Sequence, residues 1–411
     1  MEQTLRRMTD DIIRHALTAV QPDAAVRSAL ASAELSGRIH LVAIGKASWQ
    51  MAHAAYNQLG AHILDGIVIT KYDHAHGPIG NLTILEAGHP ISDRASFAAT
   101  RRVLTLTGNL TAEDTVLFLV SGGGSALFEL PLIDAAEQQA ITNRLLACGA
   151  DIVEINTIRK RLSAVKAGRF AQHCAPAQIY SIVLSDVLGD ALDVIASGPA
   201  YPDASTAEQA LAIAEKYALP LSPAALACLQ KPTPAAISNV RTFITGSVRA
   251  LCAAAQNAAQ ELGFECRMLT DCLDCEAREA GRFLASIARS NQNTEKPLAF
   301  FAGGETVVHL TGCGKGGRNQ ELALAAAPGL DGLRDTAVCS FGSDGTDGPT
   351  DAAGGYVDQD TAKALAAAGW DTARTLAVND AYHALQAVGG LVITGPTGTN
   401  VNDLSMVLIR R

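Results

Sequence analysis

Short runs that are apolar at nearly every position recur along this chain, and each empties into a polar or glycine-rich loop before a helical pattern begins. Ile39 to Ile44, Thr115 to Val120, Ile179 to Leu184, Leu298 to Ala302 and Thr336 to Phe341 are such runs. A strand without an alternating polar face is buried on both sides, as parallel strands are when helices cover them above and below. Shorter strand patterns occur at Gly66 to Thr70, Leu82 to Glu86 and Leu391 to Thr394, and a closing strand reaches Ile409. Helical periodicity fills the intervals, beginning with two helices over residues 4–33 that place Ile12, Ile13, Ala16 and Leu17 on one face. Strands alternating with helices predict an α/β protein: two three-layer α/β/α domains with mostly parallel sheets and the active site in the cleft between them.

A chain of 411 residues is long enough for two or three domains. The proline-spaced Lys231-Pro232-Thr233-Pro234 is the best linker candidate. It divides the chain into an N-terminal Rossmann-like α/β domain, 1–236, and a C-terminal α/β domain, 237–411, whose last strand or helix could return to the first. In the second domain Arg241 to Thr245, a helix to Leu262 and Glu265 to Leu269 read as a further βαβ unit.

Charge and cysteine usage exclude several classes. A net charge of -9 argues against nucleic-acid binding, which needs a concentrated basic surface. No apolar run approaches the ~18 residues of a membrane span, and no apolar signal core follows Arg6 and Arg7. The expectation is a cytoplasmic monomer or homodimer acting on small molecules, with neither membrane nor nucleic-acid partner. Nine scattered cysteines do not suggest a disulfide framework. Cys272-x-x-Cys275 is surrounded by Asp271, Asp274 and Glu276, which would raise its thiol pKa and disfavour redox chemistry.

The chemistry-bearing residues sit where strands end. Ile44 is followed by Gly45-Lys46-Ala47-Ser48; a lysine there, beside a helix start whose dipole disfavours cations, points to ligand binding. Val120 is followed by Ser121-Gly122-Gly123-Gly124-Ser125, a candidate oxyanion cradle that lacks the P-loop order. After Ala302 come Gly303-Gly304-Glu305-Thr306 and then Gly314-Lys315-Gly316-Gly317-Arg318-Asn319-Gln320-Glu321. There glycine N–H groups, a helix start and two cations suit a phosphate or carboxylate. Asp186 and Asp190 follow one strand, and Asp344 and Asp347 another. They could hold Mg²⁺, one could accept a proton from a hydroxyl nucleophile, or they could simply cap and turn the chain. His89, in the turn Ala87 to Asp93, reads as holding its own loop rather than as catalytic.

Cations, N–H cradles and aspartates without a nucleophile dyad match phosphoryl transfer, where positioning and charge neutralisation dominate. Gly312-x-Gly314-x-x-Gly317 also satisfies a dinucleotide fingerprint, so a nicotinamide dehydrogenase is the first alternative and a non-catalytic small-anion-binding protein the second.

Seven motifs in order resemble the glycerate 2-kinase family: Ile44 to Ala47, Val120 to Ala126, Leu184 to Pro199, Gly303 to Thr306, Gly314 to Glu321, Gly342 to Thr350 and Thr394 to Leu404. The resemblance covers nearly the whole chain. It implies transfer of a phosphoryl group from ATP to the 2-hydroxyl of D-glycerate, giving 2-phosphoglycerate and ADP, with Mg²⁺. The family's active-site lysine and arginine fall on Lys46 and Arg318, and Asp190 is the candidate proton acceptor. Contacts to substrate or nucleotide are expected from Ser121, Gly122, Gly123, Gly124, Ser125, Ser197, Glu305, Lys315, Gly316, Gly317, Asn319, Glu321, Thr397 and Asn400. Metal contacts are expected from Asp186, Asp190, Asp344 and Asp347. Ala167 stands where such proteins often have Gly in a Lys-Gly-Gly turn, which weakens a role for Lys166. Relatives have also carried a hydroxypyruvate reductase label, so NAD(P)H-dependent hydroxypyruvate reduction remains the alternative.

Overall fold

The structure, a computed structural model, describes residues 4–185 and 191–411. They divide into two compact units, one of residues 22–185 with 191–245 and one of residues 4–21 with 246–411.

The first unit is built on β1 (Arg38–Ile44), β2 (Ile63–Lys71), β3 (Thr83–Ala87), β4 (Asp114–Val120), β5 (Gln178–Val183) and β6 (Val240–Ile244). Their order is β3-β2-β1-β4-β5-β6, and every adjacent pair is parallel. All of β4 and all but the first residue of β1 are buried, as expected for strands lacking a polar face. The chain runs outward from β1 to β3 on one side, then returns to place β4 on the other. Right-handed crossovers in opposite directions put their helices on opposite faces. The order reverses between β1 and β4, and the loops leaving those two strands flank the crevice where such sheets bind ligands.

The second unit contains β7 (Glu265–Leu273), β8 (Leu298–Gly304), β9 (Thr336–Gly342), β10 (Gly354–Asp358), β11 (Leu391–Val392) and β12 (Asp403–Ile409), ordered β11-β10-β9-β12-β8-β7. The α/β class holds, but this sheet is mixed. β7 and β8 are parallel, while the remaining neighbours are antiparallel. Following those pairings, β7, β8, β9 and β11 share a direction and β10 and β12 oppose it. The cause is insertion of β12 between β8 and β9, which sets Asp403 opposite both Gly304 and Gly342. Two long helices, Ala277–Ser290 and Arg318–Leu330, pack together over an Ala- and Leu-rich core.

Three boundary expectations change. Arg241 to Thr245 and Glu265 to Leu269 do not form one βαβ unit, because β6 pairs with β5 in the first sheet and β7 with β8 in the second. The 231–234 stretch is anchored rather than free: Arg161 donates to the Lys231 carbonyl at 2.6 Å and the Thr233 hydroxyl to Asp203 at 3.0 Å. The division therefore falls after Thr245 rather than after Ala236. It is also the first helix, Leu5–Ala19, and not the last strand, that crosses over. It packs on helix Val248–Glu261, Arg6 donates to the Leu391 carbonyl at 2.9 Å, and the Thr399 hydroxyl donates to the Val20 carbonyl at 2.9 Å. Among the described residues no helix is long and apolar enough to cross a membrane.

Candidate active site

In the first unit the loops after β1 and β4 are stitched together. The Ser121 N–H donates to the Ile44 carbonyl at 3.0 Å, the Lys46 N–H to the Gly122 carbonyl at 2.9 Å, and the Ala47 N–H to the Ser121 hydroxyl at 3.1 Å. Ser121 is thus a buried loop tie. Gly123 has φ +85, and a Cβ there would lie 3.0 Å from the His89 ring and 3.2 Å from Lys46 Cγ. A side chain at this position would crowd both and be strained at that φ, so glycine lets the lysine stem and the imidazole close around the turn. Burial first, then the Lys46 charge, lowers the His89 pKa and favours the neutral ring. The Lys46 ammonium pairs with no carboxylate among the described residues, and the N–H groups of Gly122 and Gly123 meet no acceptor there either. One unpaired cation and two unpaired donors make a place for an anion.

The serines beyond this turn face inward. Ser125 and Ser197 share a hydrogen bond of 2.9 Å, and Ser197 donates to Asn156 at 3.2 Å. Ser197 is fully buried, so the expected ligand contact becomes a strut for the turn. Lys166 is likewise structural. It is buried, paired with Glu129 at 3.1 Å, and donates to the carbonyls of Ser125 and Phe128. Asp186 and Asp190 lie outside the described residues.

In the second unit Arg318 opens its helix and is held on two sides. Its Nε and one terminal nitrogen grip Asp403 at 2.5 and 3.0 Å, and the other terminal nitrogen meets Glu305 at 2.9 Å. Burial opposes the charged guanidinium, but the hydrogen bonds and charge of Asp403 outweigh it and raise the Arg318 pKa. Asp403 is itself raised by burial, with Arg318 pulling the other way. Asn402 donates to Glu305 at 3.2 Å, so the residues at the head of β12 orient both partners of Arg318. Lys315 lies over the Tyr382 ring with Nζ 4.3 Å from its centroid. Around these groups is a pocket of about 660 Å³ lined by Glu305 to Val308, Leu310, the glycines of the loop, Arg318 and Pro349, among others.

Several expected contacts prove to be internal. Both oxygens of Asp347 are taken by the start of helix Arg318–Leu330: Oδ1 accepts from the Asn319 N–H at 3.1 Å and Oδ2 from the Gln320 N–H at 2.8 Å. Burial pushes its pKa up to about 6 against the pull of those bonds. Asp347 therefore caps a helix and does not fit the metal role expected for it. Asn319 is buried, bridging Asp347 and Ser340. Glu321 pairs with Arg278 at 2.9 Å and accepts from Asn379 at 3.1 Å. The Thr397 hydroxyl donates to the Ser343 carbonyl at 2.5 Å, fixing its own loop, while Asn400 is exposed. Among the described residues no group of three or more His, Cys, Asp or Glu is placed for a metal. Asp344 is half-buried with Oδ1 held by the Thr346 N–H at 3.0 Å. It offers a single carboxylate, which suits Mg²⁺ carried in on phosphates rather than a resident ion in a protein cage.

The dinucleotide fingerprint also dissolves. Gly312 and Gly314 lie where a Cβ would strike the backbone of Val378 and the Asp380 side chain. Their small size serves packing against residues 378–380 and not the approach of a pyrophosphate.

Residues 8–230 match the model described as a domain of unknown function (DUF4147), and residues 298–403 the one described as the MOFRL family. A protein of Thermotoga maritima named D-glycerate 2-kinase is 52% identical, with 99% of each chain covered. The chain belongs to the glycerate 2-kinase family. A crystal structure of glycerate kinase from the same organism superposes with a TM-score of 0.96 over 98% of this chain and 99% of that one. Another relative, from Agrobacterium vitis, is 39% identical over 99% of this chain and 94% of its own, and is provisionally named a hydroxypyruvate reductase. Within this family frame, His89 and Asp403 stand out as residues that sequence reasoning passed over. His89 lies against the turn that also meets the Lys46 stem, and Asp403, within the Thr394 to Leu404 motif, anchors Arg318 from the head of the final strand.

Proposed function

We propose that this chain catalyses transfer of the ATP γ-phosphoryl group to the 2-hydroxyl of D-glycerate, forming 2-phosphoglycerate and ADP. The observation that carries this reading is the full-length 52% identity to a protein named D-glycerate 2-kinase. The unpaired Lys46 ammonium and the anchored Arg318 support it chemically. In the reaction the 2-hydroxyl oxygen attacks the γ-phosphorus, the bond to the β,γ-bridging oxygen breaks, and the hydroxyl proton passes to a general base, for which the sequence offers Asp190.

Lys46 stabilises negative charge on the transferring group, assisted by the N–H groups of Gly122 and Gly123, and neutral His89 keeps the lysine stem in place. Arg318, in the second unit, is oriented by Asp403 and Glu305, so its guanidinium can bind phosphate charge without first having to be ordered. Asp344 would hold Mg²⁺ on the protein side, and the ion would neutralise nucleotide phosphate charge.

The test is purified protein with D-glycerate, followed in parallel for ADP release with Mg·ATP and for NAD(P)H consumption or formation with hydroxypyruvate or D-glycerate. The product is then assigned as 2- or 3-phosphoglycerate by phosphorus NMR. ADP release with 2-phosphoglycerate is the expected result; nicotinamide turnover without ADP release overturns the reading.

A further inference from the structure

The pocket beside Arg318 is too large and too apolar for a three-carbon hydroxy acid. Its volume is about 660 Å³, within the range of sites that enclose a drug-sized ligand. One wall is Val307, Val308, Leu310, Pro349 and Ala381. Leu310 is 82% exposed and Val307 49%, so their apolar side chains are open to a ligand in the pocket that they line.

The start of the thirteen-residue helix Arg318–Leu330 lines the same pocket. There the N–H groups of Gly316, Gly317 and Arg318 meet no acceptor among the described residues, and Asp347 satisfies only the next two. Three consecutive unsatisfied donors at a helix N-terminus, with Lys315 alongside, suit phosphate oxygens.

Thr306 lines the same pocket, is 5% exposed, and its hydroxyl has no hydrogen-bond partner among the described residues. A buried hydroxyl without a partner costs free energy that a ligand atom can recover. The nearby carboxylates do not contradict a phosphate ligand. Glu321 is paired with Arg278, Glu305 with Arg318, and both oxygens of Asp347 are covered by backbone donors.

We infer that this pocket of the second unit is the nucleotide site, with the base on the Val307–Val308–Leu310 wall, Thr306 bonded to the nucleoside portion and the phosphates at Gly316 to Arg318. The inference rests on the kinase reading for the choice of nucleotide. It goes further in assigning the nucleotide to residues 305–318 and leaving the acid substrate to other groups.

The experiment uses the full chain with Thr306→Val, which keeps the side-chain shape, and Leu310→Asp, which alters an exposed residue that folding does not need. Thermal unfolding checks both variants, calorimetric titration with ADP gives Kd, and steady-state kinetics gives separate KM values for ATP and D-glycerate. Each variant is expected to raise Kd for ADP and KM for ATP about tenfold, the loss of one buried hydrogen bond or one favourable contact, with KM for D-glycerate unchanged. A rise confined to KM for D-glycerate, or no change in ADP affinity in either variant, overturns the inference while leaving the kinase reading intact. Tight ADP binding that both variants weaken, in a protein that phosphorylates no hydroxy acid, keeps the nucleotide site and removes the kinase reading.

Discussion

Arg318 commits both faces of its guanidinium to Asp403 and Glu305, whereas the Lys46 ammonium pairs with no described carboxylate. Their removal should therefore differ in kind. Lys46→Ala is expected to lower kcat on the order of 10²-fold or more with an unchanged melting temperature. Arg318→Ala is expected to lose activity and also stability, by about 2–3 kcal/mol. That is less than the ~3–5 of a fully buried pair because Arg318 is partly exposed, but it is substantial because Asp403 stays buried and unpaired. Arg318→Lys should recover little, since one ammonium cannot grip both Asp403 oxygens. Kinetics and calorimetric melts on the same preparations check all three.

Asp347 makes a pH prediction. Its carboxyl, pushed up to about 6 by burial, protonates more readily folded than unfolded, where an ordinary aspartate titrates near pH 4. The folded chain binds the extra proton between those values, so the cost of the buried charge is absent below about pH 4 and complete above about pH 6. The stability of the native chain relative to Asp347→Asn should fall on the order of 3 kcal/mol across that window and stay level above pH 7. Denaturant titrations at a series of pH values read this directly.

At the scale of elements, helix Ala277–Ser290 meets helix Arg318–Leu330 through Gly281, where an added Cβ would strike the Leu322 carbonyl oxygen. Glycine to alanine in a helix interior normally adds roughly 0.5–1 kcal/mol of stability. Here the backbone of the second helix would have to retreat, which costs more than the propensity gain. Gly281→Ala is expected to lower the melting temperature and, by shifting the helix that carries Arg318, to lower kcat. A rise in melting temperature would sink the argument.

The same scale explains what could be read from residue order. Strands such as β4 and β8 were legible because buried parallel or central strands have no polar face to confuse the pattern. Lys46 and Arg318 draw attention in the sequence because fixed cations beside glycines at strand ends have few structural uses. Asp403 does not, because its role depends on β12 entering between β8 and β9 against their direction, and periodicity carries no information about neighbours. β10 was missed because Gly354 and Gly355 occupy nearly half of a short strand and weaken its signal. Asp347 was misread because an acid amid glycines looks alike whether it holds a metal or caps a helix elsewhere in the chain.

At the scale of the whole molecule, the second unit takes its first helix from residues 5–19 and its central strand from residues 403–409. Deleting residues 1–21 should therefore destabilise helix Val248–Glu261 and β12 while leaving β1 to β6 intact. Hydrogen exchange resolved by peptide checks this, with faster exchange expected over 248–261 and 403–409 and unchanged exchange over 38–44 and 114–120. Uniformly faster exchange in both units would show that the division by contacts is not a division in stability.

The late arrival of β12 also bears on synthesis. Until Asp403 to Ile409 have left the ribosome, β8 and β9 have no strand between them and Arg318 has no Asp403 to grip. The sheet of the first unit, by contrast, is complete once Ile244 emerges. A nascent chain stalled between Ile244 and its final strand thus carries a finished half and a half that cannot close, and it holds exposed apolar strand edges for chaperones to shield.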